Sequence, residues 1–216
     1  MGGEPALEVK VWGDFACFTR PEMKVERVSY PVMTPSAARG VLEAIFWKPE
    51  FRWEVEEILV LNPIRYFSIL RNEVNTRASY RAAQGWAASG GHFVASEDRS
   101  QRHTLALRDV AYVIRARPVV RPGVSDGVAK YRDQFRRRVA AGRCYSMPYL
   151  GCREFTAFFE PPAGDERPID ISDGLGRMLW DLDYAPDLSG DARPHFFDAR
   201  LAGGVLHVPP IPAGGG

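Results

Sequence analysis

TPSAARGVLEAIFWKPEFRWEVEEILVL, Thr34 to Leu61, reads as a helix, a stop and a strand in succession. Thr34 offers a side-chain oxygen for the N-cap, and Pro35 fits the first helical position, where its missing N–H costs nothing. Ala38, Val41, Leu42 and Ile45 recur on one helical face until Lys48-Pro49 ends the run. From Phe51 the period changes to two. Phe51, Trp53 and Val55 alternate with Arg52, Glu54 and Glu56, and Ile58, Leu59 and Val60 carry the strand toward a sheet centre before Pro63 stops it.

Working outward, Leu7 to Trp12 alternates as a strand, and Lys24 to Met33 reads as an extended stretch after the turn at Arg20-Pro21. Residues 64–102 are irregular and hold Ser89-Gly90-Gly91, which marks an insertion that is functional or disordered. Thr104 to Ala116 resumes as a strand. DGVAKYRDQFRRRVAA, Asp126 to Ala141, reads as a helix capped by Ser125 and stopped by Gly142, and Glu154 to Glu160 reads as another strand. The order β, α, β, β, α, β gives an α+β class with a ferredoxin-like, RNA-recognition-motif-like domain over residues 1–160 and an insertion at about 64–102. Short strands at Arg177 to Asp183, His195 to Leu201 and Val205 to Val208 predict a small C-terminal antiparallel β-sheet over 161–210, packed on the first domain, and 211–216 a disordered tail. Such a fold hosts many activities and decides none.

Charge is more informative. Arg99 to Arg153 holds thirteen of the 28 Lys+Arg residues against Asp109, Asp126 and Asp133, while Glu154 to Gly216 carries eleven acids against four arginines, so a net charge of +1 hides a basic block. That block predicts a phosphate-binding surface, with arginine suited to bidentate phosphate contacts. A solvated face of unused charge is the bland alternative. Cys17, Cys144 and Cys152 are odd in number and far apart, with no CxxC pair, and are expected as free thiols without a disulfide framework or a metal site. No apolar run reaches the roughly 18 residues of a membrane span, and the N-terminus lacks a signal pattern, so a cytoplasmic protein with no membrane partner is expected. No cofactor motif is present.

The segments GDFACFTRPEMKVERVSYPVMTPSAARGVLEAIFWKP (13–49), QRHTLALRDVAYVIRA (101–116) and KYRDQFRRRVAAGRCYSMPYLGCREF (130–155) together resemble the CRISPR-associated Cas-five family of subtype I-C, a branch of the repeat-associated RNA-binding superfamily. The resemblance spans most of residues 7–160 in order and rests on SAARG, WKP and LGCREF in combination. It implies an antiviral-defence protein that cuts the CRISPR precursor RNA beside its repeat hairpin and then holds the 5′ handle of the mature guide RNA, beside the backbone and large subunits of a type I-C Cascade complex. It also implies a metal-independent hydrolase in which a ribose 2′-OH attacks phosphorus and leaves a 2′,3′-cyclic phosphate.

The family places an aromatic hydroxyl or imidazole just before WKP and a lysine-histidine pair on the second helix. Alignment puts Phe46, Lys130 and Tyr131 at these positions, and Lys130 alone keeps its chemistry. Phe46 lies four residues after Leu42 and can stack or pack. Tyr131 is a base only if nearby cations lower its pKa, and with Val128, Phe135 and Val139 it also forms an apolar stripe. Lys130 lies off that stripe and should face solvent or RNA. His103 is a spare base in the basic block, or a solvated histidine. Arg102, Arg108, Arg136, Arg137, Arg138 and Arg143 are expected on phosphates, with Gly151 where backbone approaches RNA, and Lys24 and Arg39 as further candidates. Tyr66, Tyr80 and Trp86 would make the insertion a base-stacking thumb, unless Trp86 closes a cluster of its own. Two other readings stay open: a non-catalytic Cascade subunit that binds the 5′ handle, and a general binder of double-stranded DNA or RNA.

Overall fold

The computed structural model describes residues 5–23, 25–76, 79–184 and 192–210. Among them the elements run β1 (Leu7–Ala16), β2 (Arg27–Val28), α1 (Pro35–Ile45), β3 (Phe51–Val60), β4 (Tyr66–Val74), α2 (Tyr80–Ser89), β5 (Arg99–Val120), α3 (Val128–Ala140), β6 (Phe158–Glu160), β7 (Asp173–Tyr184), β8 (Ala192–Ala202) and β9 (Val205–His207). All nine strands join one curled sheet. Its path is β6-β1-β5-β3-β9-β8-β7, with β2 and β4 also paired to β5. Every pairing is antiparallel except β2 with β5. The 22-residue β5 is the spine: its second half lies between β1 and β3, and its first half forms a hairpin with β4.

α1 forms where its sequence directs. The Thr34 hydroxyl accepts the Ala37 N–H at 3.2 Å, and Ala38, Val41, Leu42 and Ile45 are buried. The helix stops at Phe46, which turns extended and donates its N–H to the Leu42 carbonyl. α3 buries Tyr131, Phe135 and Val139, whereas Val128, the first member of that stripe, is exposed. α3 meets β3 through aromatic rings. Phe51 packs at 5.0 Å from the Tyr131 ring, and Trp53 at 4.8 Å from Phe135. The Trp53 indole N–H donates to the Phe46 carbonyl at 2.9 Å, so this large side chain is buried with its polar atom satisfied.

Several expectations change. The 24–33 stretch keeps only Arg27–Val28 as strand, with a bridge from Ser29 to Thr19; Lys24 lies outside the described residues. The insertion at 64–102 is not irregular: it holds β4, α2 and the start of β5. It escapes pattern reading because β4 exposes every second residue and fully buries none, which removes the polarity contrast that marks a half-buried strand. α3 starts at Val128 after Gly127, with no side-chain cap, so Ser125 does not cap it. The strand expected over 154–160 shortens to Phe158–Glu160. The closing strands are antiparallel, but they extend the main sheet through β9 on β3 and do not form a sheet of their own. The expected disordered tail, 211–216, lies outside the described residues. Among those described, no helix is long and apolar enough to cross a membrane.

Candidate active site and nucleic-acid interface

Phe51 joins the end of α1 to the start of α3, and a polar cluster sits at that junction. Asp126, just before α3, accepts the Lys130 ammonium at 2.7 Å and the Tyr131 hydroxyl at 3.3 Å on the same oxygen, Oδ2. Asp126 is therefore used on side chains and not as a helix cap. Lys130 stays largely exposed, while the Tyr131 residue as a whole is 1% exposed. The hydrogen bond from Lys130 holds the Asp126 carboxyl below its ordinary range. The same bond holds the ammonium above its own. Burial raises the Tyr131 phenol, and the charges of Asp126 and Glu50 raise it further. At neutral pH the cluster is thus an ammonium, a phenol and a carboxylate. Glu50 faces it with one buried carboxylate oxygen that has no hydrogen-bond partner among the described residues.

Phe46 packs. It is 2% exposed, with the Phe51 ring at 5.5 Å on one side and the Arg138 guanidinium 5.5 Å from its centroid on another. Arg138 also donates to the Ile45 carbonyl, while the Tyr145 and Ser146 N–H groups donate to Ala44. The last carbonyls of α1 are covered by a cation and by backbone from the segment after α3, as the negative end of a helix favours. His103 is not brought to this cluster. It pairs opposite Leu70 in the β4–β5 hairpin, whereas Val120, seventeen residues on, pairs with Phe51. That is about 55 Å along the strand.

The structure divides the basic block. Arg115 is paired with Glu8 and Glu57, Arg117 with Glu54 and Glu56, and Arg102 with Asn75 and Glu73, so these charges are largely spent within the sheet. Arg132 is buried, with a bond to the Pro5 carbonyl at 2.6 Å. On the outer face of α3 and beyond it, Arg136, Arg137 and Arg143 are exposed; Arg136 touches Asp133 at 3.3 Å, and Arg137 its carbonyl at 3.4 Å. Arg108 is exposed at the hairpin base. Arg39 is held two-pronged by Asp181 at 2.7 and 3.0 Å and by Glu43 at 2.8 Å; burial pulls its charge down, but these carboxylates hold it up. Gly151 has φ +83°, and a Cβ there would stand 2.1 Å from the Cys17 carbonyl oxygen. Its requirement for glycine comes from the chain's own backbone.

Sequence reading missed Asp126, which read as the first residue of the basic helix, and the exposed rings beside the junction. Tyr145 is 88% exposed and Trp47 51%. In the insertion Tyr66 and Tyr80 are exposed, while Trp86 stacks on Phe93 at 6.2 Å and so closes a small cluster. Among the described residues, no group of three or more His, Cys, Asp or Glu side chains is placed to hold a metal ion.

Comparison with known proteins matches residues 6–209 to a family model described as CRISPR-associated protein (Cas_Cas5). The chain is 47% identical to a CRISPR pre-crRNA endoribonuclease Cas5d of Thermus thermophilus, over 94% of this chain and 91% of that protein. It is 43% identical to the protein of the same name from Mannheimia succiniciproducens, over 95% of each. A crystal structure of a CRISPR-associated protein superposes with TM-score 0.66 at 22% identity, covering 95% of this chain and 94% of that one, and shares the fold.

Proposed function

The chain belongs to the CRISPR-associated Cas5 family, and from that premise we propose that it is a precursor guide-RNA endoribonuclease of subtype I-C that stays on the 5′ handle of its product. The observation that carries the catalytic part is the convergence of Lys130 and Tyr131 on Asp126 at the head of the basic helix. In the proposed reaction the ribose 2′-oxygen gives up its proton and attacks the adjacent phosphorus, the 5′-oxygen leaves as a hydroxyl with a proton from water, and a 2′,3′-cyclic phosphate remains. No metal takes part. Lys130 stabilises the dianionic phosphorane, and Tyr131, kept protonated, orients the Asp126 carboxylate by its hydrogen bond. Asp126 is the acceptor of the three, so removal of the 2′ proton falls to it or to a water it orients, a contribution of about 10²- to 10⁴-fold.

Binding rests on Arg136, Arg137 and Arg143 with Tyr145 and Trp47 nearby, and on Arg108, Tyr66 and Tyr80 of the hairpin and insertion acting as a thumb, with Arg102 a secondary candidate because its guanidinium already serves Asn75 and Glu73. Lys24, Arg39 and Gly151 are secondary candidates on this reading, and His103 contacts RNA without reaching the cut. The β6-β1-β5-β3 order with α1 and α3 as connections supports a ferredoxin-like core in residues 1–160, with 161–210 set aside for neighbouring subunits of Cascade. The cytoplasm is the proposed compartment, and duplex DNA a secondary partner.

A second reading has its own observation. The buried, non-ionisable Phe46 lies where the family is expected to place an acid–base group, which favours a subunit that holds the handle without cutting. The test is cleavage and binding of the cognate repeat RNA by wild type and Lys130→Ala in parallel. The nuclease reading expects a loss of at least about 100-fold in cleavage with binding within a few-fold. Equal cleavage by both proteins removes Lys130 from the mechanism, and binding without cleavage by wild type selects the second reading.

A further inference from the structure

Cys17, just after β1, and Cys152, in the segment after α3, are brought together across 135 residues. The Cys17 N–H donates to the Leu150 carbonyl at 3.0 Å, and the Gly151 backbone lies against the Cys17 carbonyl. The Cys152 S–H donates to that carbonyl oxygen at 3.7 Å, so its sulfur lies against the Cys17 backbone. An Arg27 guanidinium nitrogen lies 3.4 Å from the Cys152 sulfur, and the Thr19 hydroxyl 3.5 Å from that of Cys17. We infer that Cys17 and Cys152 form a redox-active dithiol, which a hydroperoxide converts into an intramolecular disulfide.

The chemistry divides between the two sulfurs. The neighbouring Cys17 side chain and the Arg27 guanidinium hold the Cys152 thiol low, against the effect of burial. Cys152, together with burial, holds the Cys17 thiol high. Cys152 also keeps a sliver of exposure, while Cys17 has none. Cys152 is therefore the attacking thiolate. Its sulfur takes the near oxygen of hydrogen peroxide, the O–O bond breaks, and the departing oxygen leaves as water after gaining a proton, which makes Cys152 a sulfenic acid. The Cys17 sulfur then attacks that sulfur, the S–S bond forms, the S–O bond breaks, and the hydroxide departs as water with the Cys17 proton. Two thiols lose two electrons in all, and one peroxide becomes two waters. The resulting bond ties the end of β1 to the Gly151 segment, which lines a cleft of about 300 Å³ with Thr19, Ser36 and Arg39. Nothing in this depends on the RNA reading.

The test is titration of the reduced, full-length protein with hydrogen peroxide, followed by denaturing alkylation and peptide mass mapping. Cys144, the more exposed thiol without a thiol partner, is the internal control. The expected result is a disulfide-linked Cys17–Cys152 peptide while Cys144 is still alkylated, and in Cys17→Ser a sulfenic acid on Cys152 that dimedone traps. Oxidation of Cys144 with Cys17 and Cys152 both recovered as free thiols overturns the inference. So does over-oxidation of Cys152 in wild type without a disulfide.

Discussion

Asp126 accepts from Lys130 and from Tyr131 on one oxygen. Asp126→Asn therefore reduces the single-turnover cleavage rate by at least about 100-fold with RNA affinity unchanged, measured by rapid quench and filter binding. Phe46, Lys130 and Tyr131 were reachable from the chain by resemblance, and Lys130 is exposed as its place off the apolar stripe implied. Asp126 was not reachable, because an acid four residues before a lysine at a helix start reads as a surface pair. The pH profile follows from the direction of its shift. A carboxylate base held below its ordinary range is deprotonated throughout the neutral region, so the rate stays flat from about pH 8 down to about pH 5 and falls only as pH drops through the lowered value. A free histidine base would put the limb near pH ~6.5. The same sign applies to stability. Whatever the Lys130 pair adds is present above the unfolded carboxyl value and is lost as pH falls through the folded one, and it is small because both groups are exposed. Gly151→Ala is expected to lower stability by at least about 1 kcal/mol in urea unfolding, since positive φ and the Cys17 carbonyl both oppose a Cβ.

At the scale of elements, α3 carries two populations of arginine that its sequence does not separate. RRR at 136–138 reads as one basic run, but Arg138 turns inward onto Phe46 and the end of α1, whereas Arg136 and Arg137 stay on the outer face. Reversing Arg136 and Arg137 to Glu should weaken RNA binding and reduce its salt slope by about 1.5, with the melting temperature unchanged. Arg138→Glu should lower the melting temperature as well, which differential scanning calorimetry distinguishes. The basic character of β5 was overread for the same reason: the acids that neutralise Arg115 and Arg117 lie far away in sequence on β1 and β3. α1 was legible almost to the residue because cap, proline and stripe agree locally. β4 and α2 were not, since neither buries a residue completely and the period alone has no polarity contrast to reveal it.

For the whole molecule, the continuous sheet joins the closing strands to the part of the chain that carries α1 and α3. Leu206 is fully buried in β9, between β3 and β8, so Leu206→Asp should destabilise the entire protein by about 3 kcal/mol or more and keep a single urea transition. Two separated transitions, with the first part unaffected, would mean that 161–210 folds as its own unit. Pairings across more than a hundred residues, such as β3 with β9, are what local pattern could not supply, although the strands themselves were found. On the proposed reading the RNA supplies its own nucleophile, the ribose 2′-hydroxyl, and no metal takes part. Both points are checked by incubating the protein, with excess EDTA, with the cognate repeat RNA and with the same RNA carrying a 2′-deoxyribose at the scissile position. One cut in the first and none in the second is the predicted result. Tight binding of both with no cut in either would contradict it, and would leave Phe46 and Tyr131 as marks of a protein that holds the guide without making it.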